Sequence, residues 1–372
     1  MNNTDIQRAI ADFLTGVSEK QSTVLEVSSP ADEDARMRED IIAGLSQASN
    51  QPTGCKQIPS LYLYSEKGSA LFAQITALPE YYPTRHEAAL LTTMVRETQG
   101  LFEDILFPLS LLEPQIAQSQ DCQLIELGSG NAAKTRIILD GWFASEASKT
   151  RQLIYIPVDV SEEMLVKTVG ALSLEYPKLR ILGLAGTYEN ALEALPPHSS
   201  RVVLFLGGTI GNFDTEEIQS QFFSTLHQLM GERARLLVGY DQCPNAQKSQ
   251  AVIERAYNDS QGLVETFTRN LLFHLNERLH TDFSPENWRH IAIYNEIAHQ
   301  IEMQLKSNCP QTVHLPGLTE PFIFFTDESI LTLISRKFDP PGLMARFIRS
   351  GYTTQAQWTD ADNYVGMLLL EA

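Results

Sequence analysis

The chain has 372 residues and a net charge of −18, with 28 Lys and Arg against 46 Asp and Glu. So acidic a surface repels phosphate backbones, which argues against nucleic acid and for a small-molecule partner. No apolar run approaches the roughly 20 residues needed to span a bilayer.

The opening "MNNTDIQRAIADFLTG" lacks the basic-then-apolar pattern of a secretory leader. The length points to about two domains. The four cysteines, Cys55, Cys122, Cys243 and Cys309, are scattered and show no zinc-type spacing or disulfide framework. The expectations are a reducing cytoplasm, no metal, no membrane, no nucleic acid and a monomer.

Residues 1–50 are polar and read as solvated amphipathic helices, with an acidic run "ADEDARMRED". A loop at 47–60 leads into "LYLYSEKGSALFAQITALPEYYPTRHEAALLTTMV". There a helical period is broken by Pro79 and Pro83 and then resumes. Between those prolines stand Tyr81 and Tyr82. A rigid corner presenting phenols is either a buried staple or part of a binding site.

Five short apolar runs follow, each bounded by turn residues and separated by helix-length segments. They lie near 123–128, 153–159, 180–186, 201–207 and 234–240. That alternation predicts a parallel, doubly wound α/β sheet. Residues 243–320 read as mostly helical, for example "NEIAHQIEMQLKS". "FIFFTDESILTLISRKF" reads as strands, and the C-terminal stretch from Tyr352 as two strands joined by a turn.

The first strand-to-helix turn reads Glu126-Leu127-Gly128-Ser129-Gly130-Asn131. Glycines there let a ligand approach the backbone closely. With Ala133 the turn also fits a dinucleotide pattern. Glu126 favours an amino-acid-like ligand, since a carboxylate accepts from an ammonium, as in S-adenosylmethionine, and repels a pyrophosphate. Lys134 could reach that ligand's carboxylate.

Asp159 ends the second strand, where an acid binds ribose hydroxyls or caps the next helix. Thr187 and Tyr188 end the third, at the adenine position. "LGGTIGNF" ends the fourth: Gly207, Gly208 and Gly211 keep the backbone open, and Asn212 offers both a donor and an acceptor.

Taken together, "LYSEKGSALFAQITALPEYYPTR", "IELGSGNAAKT", "YIPVDVS", "LGGTIGNF" and "YNEIAHQIEMQL" resemble the histidine Nα-methyltransferase family of ergothioneine biosynthesis and its fungal tryptophan-derivative N-methyltransferase relatives. The resemblance covers about residues 55–372. It implies a class I S-adenosylmethionine methyltransferase core, Rossmann-like, with an inserted and mainly α second domain. The implied division is 86–242 with 338–372 as core, and 1–85 with 243–337 as substrate domain.

The resemblance places cofactor contacts on Gly128, Lys134 and Asp159, beside Glu126 and Gly130 of the turn. The family's adenine-contacting Asp falls on Thr187. Amino-acid contacts fall on Tyr64, Tyr81, Gly207, Thr209, Asn212 and Tyr257, with Asn212, Tyr81 and Tyr257 in the catalytic roles. The family's histidine enzymes read E-V-S-x-K-F where this chain has Leu333-Ile334-Ser335-Arg336-Lys337-Phe338. Ser335 is kept, and Met303 matches the Met that lines the same pocket. The imidazole-binding Glu is replaced by Leu333.

The lost charge-assisted hydrogen bond is worth about 1.5–3 kcal/mol. The expected reaction is therefore α-amino N-methylation of an amino acid with an apolar or aromatic side chain, such as tryptophan, tyrosine or a derivative. Histidine, giving the trimethylated betaine, is the alternative. An NAD-type oxidoreductase and a non-catalytic ligand-binding protein are readings from other classes.

Overall fold

The computed structural model describes residues 3–18, 20–27, 30–46, 55–108, 121–196, 201–213, 215–231 and 234–372. The loop expected at 47–60 therefore lies outside the described residues over 47–54. The chain forms two compact units. One comprises 1–28, 83–242 and 338–372, and the other 29–82 and 243–337.

The first unit is built on an eight-stranded sheet. Its spatial order is Ser22–Glu26, Arg180–Ala185, Leu153–Asp159, Cys122–Leu127, Arg201–Phe205, Arg235–Asp241, Val365–Glu371 and Thr353–Thr359. The first six strands pair in parallel. The last two form an antiparallel hairpin against Arg235–Asp241.

Residues alternate between the two faces, as the two-residue strand period demands. Ile125, Leu127, Ile156 and Val158 enter one core layer with Phe222, Phe223 and Phe347. Leu124, Leu153 and Tyr155 enter the other with Leu90, Met94 and Trp142. Both faces being covered, the strands read as continuous apolar runs. The six parallel strands end at the same edge, where Gly128, Gly130, Asp159, Gly186, Gly207 and Gly208 lie.

The N-terminus departs from the expected division. Ser22–Glu26 is an edge strand of this sheet, and Ile6, Ile10 and Phe13 of the helix Asn3–Leu14 are buried in its core. Residues 1–28 thus belong with the core unit. A five-residue strand in a polar region carries too short a pattern to stand out.

The second unit is a mixture of helix and sheet. Its four-stranded sheet runs Lys56–Gln57, Ser329–Arg336, Gln300–Ser307, Trp288–Asn295. A two-stranded ribbon, Gln311–Val313 with Phe322–Phe324, adds to it. The helix Leu263–Leu279 packs against Glu66–Ile75 and the sheet. The stretch Asn295–Ser307 expected as helix is instead a turn and a strand. His290, Ala292 and Tyr294 alternate with solvent-side residues and face Leu305, Met303 and Ile301 across the hairpin.

Candidate active site

In the first unit the carboxyl edge of the parallel strands gathers the expected cofactor residues. The turn after Cys122–Leu127 needs φ of +75° at Gly128, which an L side chain rarely adopts. Gly130 N–H donates to Asp159 Oδ2 at 2.8 Å, and Ser161 N–H donates to Asp159 Oδ1 at 3.0 Å. Ser161, not Asp159, caps the helix Glu162–Glu175. Asp159 therefore ties the glycine turn to the end of the second strand. Burial pushes its carboxyl up, and the amides of Ser161, Gly130 and Val160 pull it back.

Glu126 is only 3% exposed. The hydroxyls of Thr135, at 2.5 Å, and Tyr155 both donate to its Oε2. Burial raises its pKa to about 7, against the two hydroxyls and the Lys134 charge, which lower it. Ser129 Oγ is buried in the same turn with no hydrogen-bond partner among the described residues.

Thr187 caps the helix Tyr188–Ala194 by accepting from Asn190 N–H. The Tyr188 ring packs edge-on against Phe205. Its hydroxyl lies 3.0 Å from where a Cβ on Gly128 would sit, and Thr209 Oγ1 is 3.7 Å from the same point.

The "LGGTIGNF" turn crosses Gly207 and Gly208 at φ +84° and +75° and closes as a short helical turn, Thr209–Asn212. Gln219 Nε2 donates to Ile210 C=O and holds it down. The Asn212 side chain makes no hydrogen bond within the described residues.

Lys134, expected to reach the ligand's carboxylate, is engaged within the first unit. Its ammonium pairs with Glu87, a residue only 5% exposed. Glu87 also accepts from Gly207 N–H, at 3.1 Å on Oε1 and 2.9 Å on Oε2. Sequence reasoning missed Glu87, which stands in "PTRHEAALL" on a helix that looks ordinary. The signal was at a distance: a glycine inside the strand Arg235–Asp241. A methyl on Gly239 would fall 1.9 Å from Glu87 Oε1, so that strand gives up a side chain to admit the carboxylate.

In the second unit most of the expected substrate residues meet. Tyr257 and Ser335 hydroxyls lie 2.8 Å apart, and the buried Lys337 ammonium donates to both, at 3.0 and 2.8 Å. One hydroxyl donates to the other, so one O–H remains for a further acceptor.

Leu333 stands two residues before Ser335, on the same face of its strand, and pairs directly with Met303, which pairs with Ala292. All three are buried. The Tyr81 ring meets Tyr257 edge-on, with centroids 5.9 Å apart, and meets Phe72 at 6.0 Å. Tyr64 packs against Phe72 and Phe267. Neighbours fix Tyr257 in place. Asn258 bonds both backbone groups of Ala292, and His290 Nε2 contacts Tyr257 C=O at 2.8 Å.

No metal was expected from the sequence, yet the first unit brings His86, Asp360 and Asp362 within reach of one another. His86 Nδ1 lies 2.8 Å from Asp360 Oδ2, and Asp360 Oδ1 accepts from Tyr364 and Val365 N–H.

The profile of the family described as "Histidine-specific methyltransferase, SAM-dependent" matches residues 37–372. The chain belongs to that family. It is accordingly an S-adenosylmethionine-dependent amino-acid N-methyltransferase.

Among curated members, the histidine N-alpha-methyltransferase of Mycolicibacterium smegmatis is 34% identical over 90% of this chain and 94% of its own. The enzyme of the same name from Mycobacterium tuberculosis is 33% identical over the same shares. The L-tryptophan methyltransferase of Psilocybe serbica is 27% identical over 90% and 93%. Both substrate types occur in the methyltransferase relatives, so membership alone leaves the acceptor side chain open.

The first unit fits the cofactor on its own evidence. The glycine turn is backbone-open, Ser129 Oγ lacks a partner among the described residues, and both hydroxyl bonds to Glu126 fall on a single oxygen.

Proposed function

We propose that this methyltransferase acts on the α-amino group of an amino acid whose side chain is apolar or aromatic. The observation that carries the reading is the buried Ala292–Met303–Leu333 row beside Ser335. A Leu at 333 accepts no hydrogen bond, so an imidazole N–H placed there would be left unpaired.

When bound, S-adenosylmethionine supplies a methyl group on a sulfonium sulfur, already a good leaving group. The chain's residues then have positioning as their main task. Glu126 Oε1 is suited to an ammonium, Asp159 to ribose hydroxyls, and Gly128 and Gly130 to close backbone approach. Thr187 and Tyr188 flank the adenine position.

For the acceptor, we assign Tyr64, Tyr81 and Tyr257 of the second unit to the zwitterionic end, and within the first unit we assign Gly207, Thr209 and Asn212 as amino-acid contacts. Met303, Leu333 and Ser335 take the side chain. A desolvated site lowers the amine's pKa and favours the neutral nucleophile. Asn212 can orient its lone pair, because its amide is uncommitted within the described residues. Gly207 and Gly208 leave room for a nitrogen that grows by a methyl each round.

Histidine is the second reading. It is favoured by the higher identity to histidine enzymes and by the retained Ser335. Incubation with S-adenosylmethionine and each standard amino acid, plus indole derivatives, read by mass spectrometry, separates the two. Methyl-mass increments on tryptophan, tyrosine or an indole derivative are expected. A clear preference for histidine would sink the apolar reading.

A further inference from the structure

The Glu87–Lys134 pair calls for a reason. A buried carboxylate paired with an ammonium whose side chain is only 15% exposed costs more desolvation than an apolar pair of similar volume. The fold nevertheless builds around them. Gly239 omits a side chain to admit the carboxylate. Gly207, at φ +84°, offers its N–H to both carboxylate oxygens, and a Cβ there would lie 3.1 Å from Lys134 Nζ. Both side chains sit at the carboxyl edge of the central strands, where ligands bind in such sheets.

We propose that Glu87 is a positioning residue of the cofactor site. It holds Lys134 and the Gly207 amide in place and cancels the lysine charge, so that the site favours the sulfonium donor over its neutral thioether product. S-Adenosylmethionine and S-adenosylhomocysteine share the same amino-acid end and differ by one positive charge at sulfur. A field effect therefore shows in the ratio of their affinities, whereas a loosened turn weakens both alike.

The test is calorimetric binding of S-adenosylmethionine and S-adenosylhomocysteine to the full chain and to three variants. Glu87→Gln leaves Lys134 uncompensated. Its affinity for S-adenosylmethionine should fall about tenfold, while that for S-adenosylhomocysteine changes by less than about threefold. Lys134→Met leaves the carboxylate uncompensated and should move the ratio the opposite way, toward the sulfonium. The double variant should return the ratio to within about twofold of the parent.

Equal losses for both ligands in Glu87→Gln would overturn the proposal. If that variant does not fold, an unchanged ratio in Lys134→Met would overturn it equally. Neither readout requires turnover or knowledge of the acceptor.

Discussion

Position 333 carries the substrate argument because its neighbours fix its surroundings. Leu333 pairs with Met303 and lies one strand step from Ser335. Leu333→Glu puts a carboxylate beside that serine. A charge-assisted bond to an imidazole is worth about 1.5–3 kcal/mol, so kcat/KM for histidine relative to tryptophan should rise about 10- to 100-fold. An unchanged ratio, measured by competition between the two amino acids, would mean that the side chain at 333 does not face the acceptor.

Glu126 supports a second prediction. Its pKa is raised to about 7, chiefly by burial, so the carboxyl is largely protonated in mild acid. A ligand ammonium prefers the carboxylate. Binding must therefore expel a proton below pH 7, and affinity must rise with pH until the group is ionised. The dissociation constant for S-adenosylmethionine should fall as pH climbs from about 5.5 to 7 and level off above that. Glu126→Gln should remove most of the slope. Calorimetry in buffers of different ionisation enthalpy checks the proton count.

At the level of elements, what could be read from the sequence tracks the regularity of the local pattern. The five central strands announce themselves as apolar runs because both faces are covered, and their glycine and acid ends announced the ligand edge. The hairpin from Trp288 to Ser307 did not. Its turn uses no glycine or proline: Asn295 Oδ1 accepts from Ile297 and Ala298 N–H, and His299 takes φ of +49°. Without punctuation, "NEIAHQIEMQL" offers a plausible helical period. Glu87 was hidden for a different reason: its role is set by Gly207 and Gly239, more than a hundred residues away.

The strand Ser22–Glu26 and the helix before it are testable as a piece. Ile6, Ile10 and Phe13 are buried, each worth roughly 1.5–3 kcal/mol. Together they rival the 5–15 kcal/mol that typically holds a domain. Removing residues 1–27 also bares the edge of Arg180–Ala185. The truncated protein should melt well below the parent or aggregate, as scanning calorimetry and light scattering would show. An unchanged melting temperature would mean that the helix and strand contribute nothing to the core.

For the molecule as a whole, the chain leaves the core after Gln242 and re-enters it at Phe338. Those two residues form a bridge, with Phe338 N–H donating to Asp241 C=O at 2.8 Å. The 95 residues between them thus begin and end at one seam. On the proposed function, such a seam would let the stretch that carries Tyr257, Met303, Leu333 and Ser335 be exchanged without cutting the strands that bear the glycine turns. Relatives named for histidine and for tryptophan are what that kind of genetic modularity would leave behind.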